Sequence, residues 1–481
     1  MEFIINEATY SLPCRSFVID YAVSQKRKLA VVKEFTIRLL YALKDVSPDK
    51  ISNYFGFTIE ETQVVLADLQ EEKLIKWDDG NVTLTSYAHD RFEQVNGRAE
   101  PRFFEVEDKI DSVTFDLLAF KLIADSASGS ISPNNMEIPL PESAMGNLTE
   151  KAKSAFDLQF NTFLEKAKGV DTYSDATELY KINQVYNRND RLLPVKVQYV
   201  ITSESAQKPI VRYADEWMDE WDVDKSLYAA ICTQSESEKI VQANLGAALE
   251  EYLAIAKDPI ILNFLRNDEF DFRSALRAYE ANKGVFELDT RMIVGNLYSD
   301  KNKNLIHSLI DYKFGDEAKI PGKGILWSVE PSDKIWGRCP ELESFIQSLD
   351  MRLDERRKPF KTILASKVSS VSDAFQMRDR YGIIKCNFQG LNKNIGNSQV
   401  EILLIPGVIV ACTFHFLIEN HYPLSLPIGF MSTNEKKINQ VSEALNSVFE
   451  NRAITNSYFE KRDVDPENTV LESKILNLLQ K

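Results

Sequence analysis

The densest group of side chains that could do chemistry is the acidic stretch spanning residues 213–224. On a helix, Asp215 and Asp219 are four residues apart and lie on the same face. Paired carboxylates of this kind can bind Mg²⁺, which takes few protein oxygens and keeps several waters. The spacing is also typical of an amphipathic surface helix that buries Trp217 and Trp221, or of an acidic patch that docks a basic partner. We favour the surface helix, because the sequence offers no matching ligands, and we expect no metal or cofactor.

A second group is basic and lies in the latter half of the chain. Its members are Arg352, Arg356, Arg357, Lys358 and Lys361. Guanidinium and ammonium groups can bind the phosphates of a nucleic acid or nucleotide, so this group is a candidate nucleic-acid-binding site. Acids such as Asp350, Asp354 and Glu355 interleave with the bases. An ion-paired helix face is therefore the favoured interpretation.

His415 ends an apolar segment that we predict to be a strand, and Gly429-Phe-Met-Ser432 follows in the next predicted strand. This layout resembles the phospholipase D-like nuclease fold, in which H-x-K-x4-D is followed by a G-S-x-N strand. The resemblance implies that His415 is the nucleophile of a phosphodiesterase. Leu417 and Tyr422 occupy the positions of the lysine and aspartate, so it implies a degenerate, non-catalytic domain. A hydrogen-bonded core histidine is the interpretation that we favour.

A stretch within the first hundred residues has the spacing of two short helices joined by a turn. Ser47 is a good N-cap, and Pro48 sits at the first helical position, where its missing N–H costs nothing. Gly56 lies in the turn that ends this helix. Thr58 begins the second helix, and Glu61 stands three residues later, as a capping box requires.

Two short β-prone segments follow the second helix and flank Asp79-Gly80, a pair that favours a tight hairpin turn. The order of helix, turn, helix and hairpin resembles the winged helix-turn-helix family over roughly residues 28–95, with Leu29–Leu43 as the first helix. The resemblance implies DNA binding, with the second of the two short helices in the major groove.

The charges of that helix and hairpin do not suit a DNA duplex. Between Thr58 and Asp79 the acids are Glu60, Glu61, Asp68, Glu71, Glu72, Asp78 and Asp79, whereas the bases are Lys73 and Lys76. Carboxylates at these positions would repel phosphates. The basic residues that could contact DNA come earlier, at Lys26, Arg27, Lys28, Lys33 and Arg38. We therefore place protein contact ahead of sequence-specific DNA reading and keep a local basic patch as the alternative.

Composition limits the classes of protein to be considered. The chain has 481 residues, 44% of them hydrophobic and 27% charged, as in an ordinary folded protein with two or three domains. The net charge of −15 restricts any contact with nucleic acid to a local patch. The five cysteines form no C-x-x-C pair, and the N-terminus has no signal-peptide pattern. These features predict a cytoplasmic protein.

Helical and strand patterns both follow the hairpin, so the predicted fold class is α+β or α/β, with an N-terminal winged helix and a larger mixed α/β region. Val113–Ala124 and Thr149–Lys168 are predicted helices. Ile402–Ile418 contains no charged residue, but its Pro406-Gly407 pair favours two buried strands over a membrane helix. The predicted divisions are a winged-helix domain at 1–100, a linker and loop at 101–150, a mainly helical region at 151–284 and a mixed α/β domain at 285–481.

These patterns predict a non-catalytic docking or scaffold component of a DNA-associated multi-protein complex, with protein partners and no membrane contact. By association, such chains are common as accessory proteins in bacterial antiviral defence or mobile-element systems. Two alternatives stay open. One is a DNA-binding transcriptional regulator whose C-terminal domain senses a ligand, and the other is a phospholipase D-like nuclease that uses His415 or the acidic stretch.

Overall fold

The computed structural model describes most of the chain. The described residues are 1–27, 29–95, 98–123, 129, 131–132, 134–140, 142–167, 177–205, 209–214, 227–231, 245–267, 269–315, 319–320, 324–329, 335–353, 362–368, 370–383, 386–391, 399–418, 424–450 and 475–479. Most of the acidic stretch predicted as a helix therefore lies outside the described residues.

The helices are distributed along the whole chain. In chain order, α1 to α13 span Val31–Leu43, Pro48–Phe55, Ile59–Glu71, Ser86–His89, Leu148–Leu158, Phe160–Ala167, Leu245–Ala256, Pro259–Phe264, Phe272–Asn282, Asp300–Phe314, Pro340–Arg352, Val371–Ile383 and Glu435–Glu450. Residues 142–145 form a 3₁₀ turn, and residues 227–231 and 475–479 are also helical. Among the described helices, none combines the length and the apolar character needed to cross a lipid bilayer.

The strands include two that are unusually long. In chain order, β1 to β21 span Glu2–Arg27, Asp45–Val46, Ile75–Asp78, Asn81–Leu84, Phe92–Val95, Arg98–Pro101, Phe103–Asp116, Leu122–Ile123, Met136–Glu137, Glu178–Thr202, Ile210–Tyr213, Leu265–Arg266, Glu269–Phe270, Val285–Glu287, Thr290–Val294, Ile325–Val329, Thr362–Lys367, Asn387–Leu391, Val400–Ile405, Ile409–Leu417 and Ser425–Ser432. The described helices and strands confirm the predicted mixed α+β class.

The chain divides into two compact units, each built from separate segments. The first contains residues 1–14, 126–141 and 191–481, and the second contains residues 15–125 and 142–190. Residues of both β1 and β10 are divided between the two units. In the first unit β11 pairs antiparallel with β10 and β9 pairs parallel with β1, and in the second unit β8 pairs antiparallel with β7. The four-part division made from the sequence stays a prediction.

The first unit is organised around an eight-stranded sheet of order β14–β15–β21–β20–β19–β16–β17–β18. Strands β16, β17 and β18 run parallel, and α11 and α12 lie in the connections between them, as parallel pairing requires. The remaining neighbours pair antiparallel. Trp327 and Leu403 of the sheet pack in one hydrophobic core with Ile306 of α10 and Phe345 of α11.

The second unit contains a small helical module and parts of the long strands. In the module, α1, α2 and α3 accompany a three-stranded sheet of order β2–β4–β3. Elsewhere in this unit, α5 and α6 pack against β1 around the buried Tyr21 ring. Its centroid lies 5.1 Å from that of Phe156 and 5.9 Å from that of Phe160. Burial of these rings fixes the helices on the strand.

Several local predictions are confirmed. Strands β19 and β20 are antiparallel and are joined at Pro406-Gly407, where Gly407 adopts a φ of 75°. The predicted helix at Thr149–Lys168 is present as two consecutive helices, α5 and α6, that meet at Gln159. In both cases short-range turn and periodicity signals were sufficient.

One prediction is wrong because an apolar run does not by itself distinguish a helix from a strand. Val113–Ala124, predicted as a helix, contains the end of β7, a turn and β8. The turn is held by the Asp116 carboxylate, which accepts hydrogen bonds from the backbone N–H groups of Ala119 and Lys121. The 26-residue strand β1 was not predicted from the sequence.

Candidate functional site

The candidate site is the solvent-facing side of α3, and local sequence signals set where this helix begins. The Thr58 hydroxyl accepts a hydrogen bond from the backbone N–H of Glu61 at 3.2 Å. The Glu61 carboxylate accepts one from the backbone N–H of Thr58 at 2.8 Å, which completes the predicted capping box. Gly56 ends α2 in the left-handed region at a φ of 71°. These two features leave three residues between the end of α2 and the start of α3.

The buried side of α3 determines which residues face the solvent. Leu66 and Leu69 of α3 are buried in a core shared with Leu40 of α1, Ile51 of α2 and Val82 of β4. Because a helix turns once every 3.6 residues, anchoring these leucines leaves the opposite face of α3 in water.

The solvent-facing side of α3 combines carboxylates with large apolar side chains. Val64 is 63% exposed, and Glu60 and Glu71 are also exposed. Trp77 of β3 is 47% exposed, and its indole N–H donates to the Gln70 side chain of α3 at 3.0 Å. This hydrogen bond connects the hairpin to the helix at the surface. We call the surface formed by Glu60, Val64, Ala67, Glu71 and Trp77 the α3 face.

The basic side chains of α1 have carboxylate partners. Lys33 Nζ lies 3.0 Å from Asp68 Oδ2 and 2.9 Å from Glu72 Oε1, and hydrogen bonds to these groups raise the pKa of Lys33 above its ordinary value. Arg38 forms an ion pair of 2.6 Å with Glu34 on its own helix. Lys33 therefore offsets one of the two negative charges of Asp68 and Glu72, and neither cation is left without a carboxylate.

The other predicted nucleic-acid-binding residues are not brought together by the described structure. Lys26 and Arg27 belong to β1, but their side chains are not described, and Lys28 lies outside the described residues. Arg356, Arg357 and Lys358 also lie outside them. Arg352 is described, and its guanidinium makes an ion pair of 2.7 Å with Asp311 of α10 while its side chain is only 11% exposed. Asp311 lies on another helix and is not one of the interleaved acids, so the ion-paired helix face stays a prediction.

The weak metal candidates, Asp215 and Asp219, lie outside the described residues. Within the residues that are described, no group of three or more His, Cys, Asp and Glu side chains is arranged to hold a metal ion. The metal-binding interpretation of the acidic stretch therefore stays a prediction.

His415 is buried in the sheet of the first unit and is 1% exposed. Its Nε2 lies 3.0 Å from Glu401 Oε2, and its Nδ1 lies 3.1 Å from Ser425 Oγ. Both ring nitrogens are therefore engaged by neighbouring strands. Such an arrangement orients the imidazole within the core, where it cannot reach a substrate in this conformation.

Glu401, which the sequence analysis did not single out, is the partner that explains the burial of His415. It is 1% exposed, and its Oε1 accepts hydrogen bonds from the indole N–H groups of Trp327 at 3.0 Å and Trp336 at 3.3 Å. The Thr413 hydroxyl donates to Oε2 at 3.3 Å. A buried carboxylate requires several donors of this kind. The sequence signal is slight: alternation along β19 puts residue 401 on the same face as Leu403.

A surface cleft of about 720 Å³ also lies in the first unit. Its lining residues are Ser203, Glu204, Ser205, Arg266, Asn267, Glu269, Phe270, Asp271, Phe272 and Arg273. The carboxylate of Glu204 lies 3.4 Å from the guanidinium of Arg273 and 2.7 Å from that of Arg277. These ion pairs balance part of the charge at the cleft. Its lining thus mixes both signs and defines no single class of ligand.

Comparison with known proteins gives little support for an assignment. No protein-family model and no curated protein sequence matches this chain. One similar solved structure is described as that of TrmBL2, an archaeal chromatin protein with a novel mode of DNA binding. It shares 9% sequence identity, and the alignment covers 88% of this chain and 93% of that one at a TM-score of 0.22. A likeness at this TM-score does not establish a shared fold.

Proposed function

We propose that residues 31–84 form a winged helix-turn-helix that binds a protein rather than a DNA duplex, and that the chain is a non-catalytic docking component of a multi-protein assembly. The order of α1, β2, α2, α3, β3 and β4 supports the winged-helix assignment. The single observation that carries the docking role is the composition of the α3 face. This surface stands where a recognition helix would meet the major groove.

Electrostatics supports a protein partner over a duplex. Of the acids between residues 58 and 79, those exposed to water are Glu60, Glu61, Glu71, Asp78 and Asp79. Nucleic-acid affinity arises largely from cations that neutralise phosphates and release counterions. A surface that presents carboxylates to the phosphates repels them and lowers this electrostatic contribution to the affinity. Lys33 and Arg38 cannot readily offset the repulsion, because they already have carboxylate partners.

Exposed apolar side chains in the same module also support protein docking. Those in residues 31–87 are Val31, Val32, Phe35, Leu43, Tyr54, Ile59, Val64, Trp77 and Tyr87. Large exposed apolar patches mark sites of protein contact, and Val64 and Trp77 bring exposed apolar surface to the α3 face. Aromatic side chains, tryptophan and tyrosine above all, are enriched among the residues that dominate binding at such interfaces. The association of the assembly with DNA and its role in antiviral defence stay predictions.

Charge reversal on the α3 face tests the proposal. The full chain is titrated into a labelled duplex of random sequence at low salt, as wild type and as the Glu60→Lys/Glu71→Lys variant. We expect no binding by the wild type and salt-sensitive binding by the variant, because four units of charge change at the groove-facing helix. The matched control is Glu105→Lys/Glu250→Lys, which changes net charge equally at exposed positions elsewhere.

Duplex binding by the wild-type chain would contradict the proposal if it were lost on Lys33→Ala or Arg38→Ala. That result would favour the transcriptional regulator. Divalent-dependent nicking of DNA that disappears in a His415→Ala protein shown by circular dichroism to remain folded would instead favour the nuclease. Neither outcome is expected from the α3 face.

A further inference from the structure

The spacing of side chains on the α3 face specifies the kind of partner that would fit it. Successive residues of a helix rise 1.5 Å, with 3.6 residues per turn, so Glu60 and Glu71 are about 16 Å apart along the axis. The same geometry places Glu60, Val64, Ala67 and Glu71 within an arc of about 60° around the helix. A line of apolar side chains is therefore flanked by one carboxylate at each end.

Trp77 widens this apolar line on the side of the hairpin. Its hydrogen bond to Gln70 holds the exposed indole beside the C-terminal half of α3. Gln70 lies about 60° around the helix from Ala67, so a partner that extends from Ala67 toward the hairpin would also meet an aromatic surface. Rigid, exposed tryptophans are effective anchors because they lose little conformational entropy on binding.

We propose that the α3 face binds an amphipathic basic segment of a partner protein, an inference that rests on the docking role proposed above. The segment places apolar side chains against Val64 and Trp77 and a Lys or Arg side chain near Glu60 and near Glu71. Two basic residues eleven positions apart on one face of a helix match the separation of about 16 Å. Opposite charges at the two ends fix the position and register of the segment on α3.

A second copy of the chain does not fit this surface. A symmetric dimer joins the same patch on two subunits, so carboxylates of one α3 face would oppose those of the other. A DNA duplex or an acidic peptide meets the same repulsion. The complementary charge identifies the basic segment as the occupant.

Three labelled helical peptides test the inference with the full chain by fluorescence anisotropy. The first carries Arg at positions 1 and 12 and Leu at positions 5 and 8. The second replaces Arg by Glu, and the third replaces Leu by Ser. We expect the first peptide to bind at least about 10-fold more tightly than either of the others, and its affinity to fall as salt rises.

Variants of the chain then locate the binding. Glu60→Lys/Glu71→Lys should reverse the preference between the Arg and Glu peptides, whereas Glu105→Lys/Glu250→Lys should leave it unchanged. Trp77→Ala should lower the affinity of the chain for the Arg peptide by about 10-fold, a change typical of an interface anchor. The matched control Val106→Ser alters an equally exposed apolar side chain on β7, 51% exposed, and should have no effect.

Equal affinity for the three peptides, a preference for the Glu peptide, or no binding up to the millimolar range would overturn the basic-segment proposal. The proposal would also be overturned if the control substitutions changed the affinity for the Arg peptide as much as the substitutions on the α3 face. These failures are separate from that of the docking role, which fails if the wild-type chain binds the duplex through this module.

Discussion

Asp258 provides a quantitative test of the first unit, because burial of its carboxyl group raises its pKa to near neutrality. It is 0% exposed, its Oδ1 caps α8 by accepting from the backbone N–H of Ile260 at 2.7 Å, and its Oδ2 accepts from the Tyr252 hydroxyl at 2.5 Å. Burial raises the pKa of Asp258 from 3.8 to about 7, despite the opposing effect of these hydrogen bonds. The folded protein therefore retains a proton that the unfolded chain has lost.

The sign of the pH dependence follows directly. A folded-state pKa above the unfolded one contributes stability at pH values below 3.8, and this contribution disappears as the pH rises through about 7. The whole shift corresponds to about 4 kcal/mol, of which about 2.5 kcal/mol falls between pH 5 and pH 8.

Asp258→Asn removes the titration while keeping a good helix N-cap. Urea unfolding of the full chain, followed at pH 5 and at pH 8, gives the loss of unfolding free energy for each protein. We expect the wild type to lose about 2.5 kcal/mol more than Asp258→Asn over this interval. Taking the difference between the two proteins cancels the pH-dependent contributions of the titratable groups that they share. Equal losses, or a wild type that gains stability relative to the variant, would refute the reasoning.

Three further substitutions test the contacts that position the two candidate regions. Thr58→Ala removes the capping box of α3 and should lower the unfolding free energy by about 1 kcal/mol in urea. Gly56→Ala should cost about 1–2 kcal/mol because of the positive φ at that position, whereas Gly146→Ala, equally free of nearby atoms, should be close to neutral. His415→Ala leaves the buried Glu401 carboxylate without one of its partners and should destabilise the first unit by about 3–5 kcal/mol. A negligible loss of stability for His415→Ala, measured by thermal or urea unfolding, would contradict a structural role for the pair.

The sequence was informative about several features that depend on neighbouring residues. The capping box of Thr58 and Glu61, the turn at Gly56 that ends α2 and the turn at Pro406-Gly407 were all predicted, and each is present. Such features rest on backbone conformations and hydrogen bonds that span only a few residues. For the same reason they define the bounds of α2 and α3 closely.

Features that depend on distant residues were not predictable in this way. The charge count of α3 could not show that Asp68 and Glu72 share Lys33, which lies on another helix. The burial of Glu401 with His415 likewise depends on two adjacent strands of the folded sheet. Which side chains of different strands and helices come together is determined by the tertiary fold. The spacing of residues in the sequence therefore predicts these contacts poorly.

Strand β1 illustrates a different difficulty. Its residues lack a simple alternation of apolar and polar side chains, because much of the strand is buried on both faces. Pro13 lies within it and cannot donate a hydrogen bond to a neighbouring strand, which argues against a continuous strand when only the sequence is considered. A long, doubly buried strand is therefore hard to distinguish from other apolar segments.

The central claim is that the α3 face contacts protein, and site-specific photo-crosslinking tests it most directly. A photoreactive phenylalanine analogue replaces Val64 in the full chain, which is then irradiated in its native host. We predict an adduct that is destroyed by protease treatment of the partner, resists nuclease, and is lost when Glu60→Lys and Glu71→Lys are added. A nuclease-sensitive adduct at this position would contradict the account and identify the module as a reader of nucleic acid.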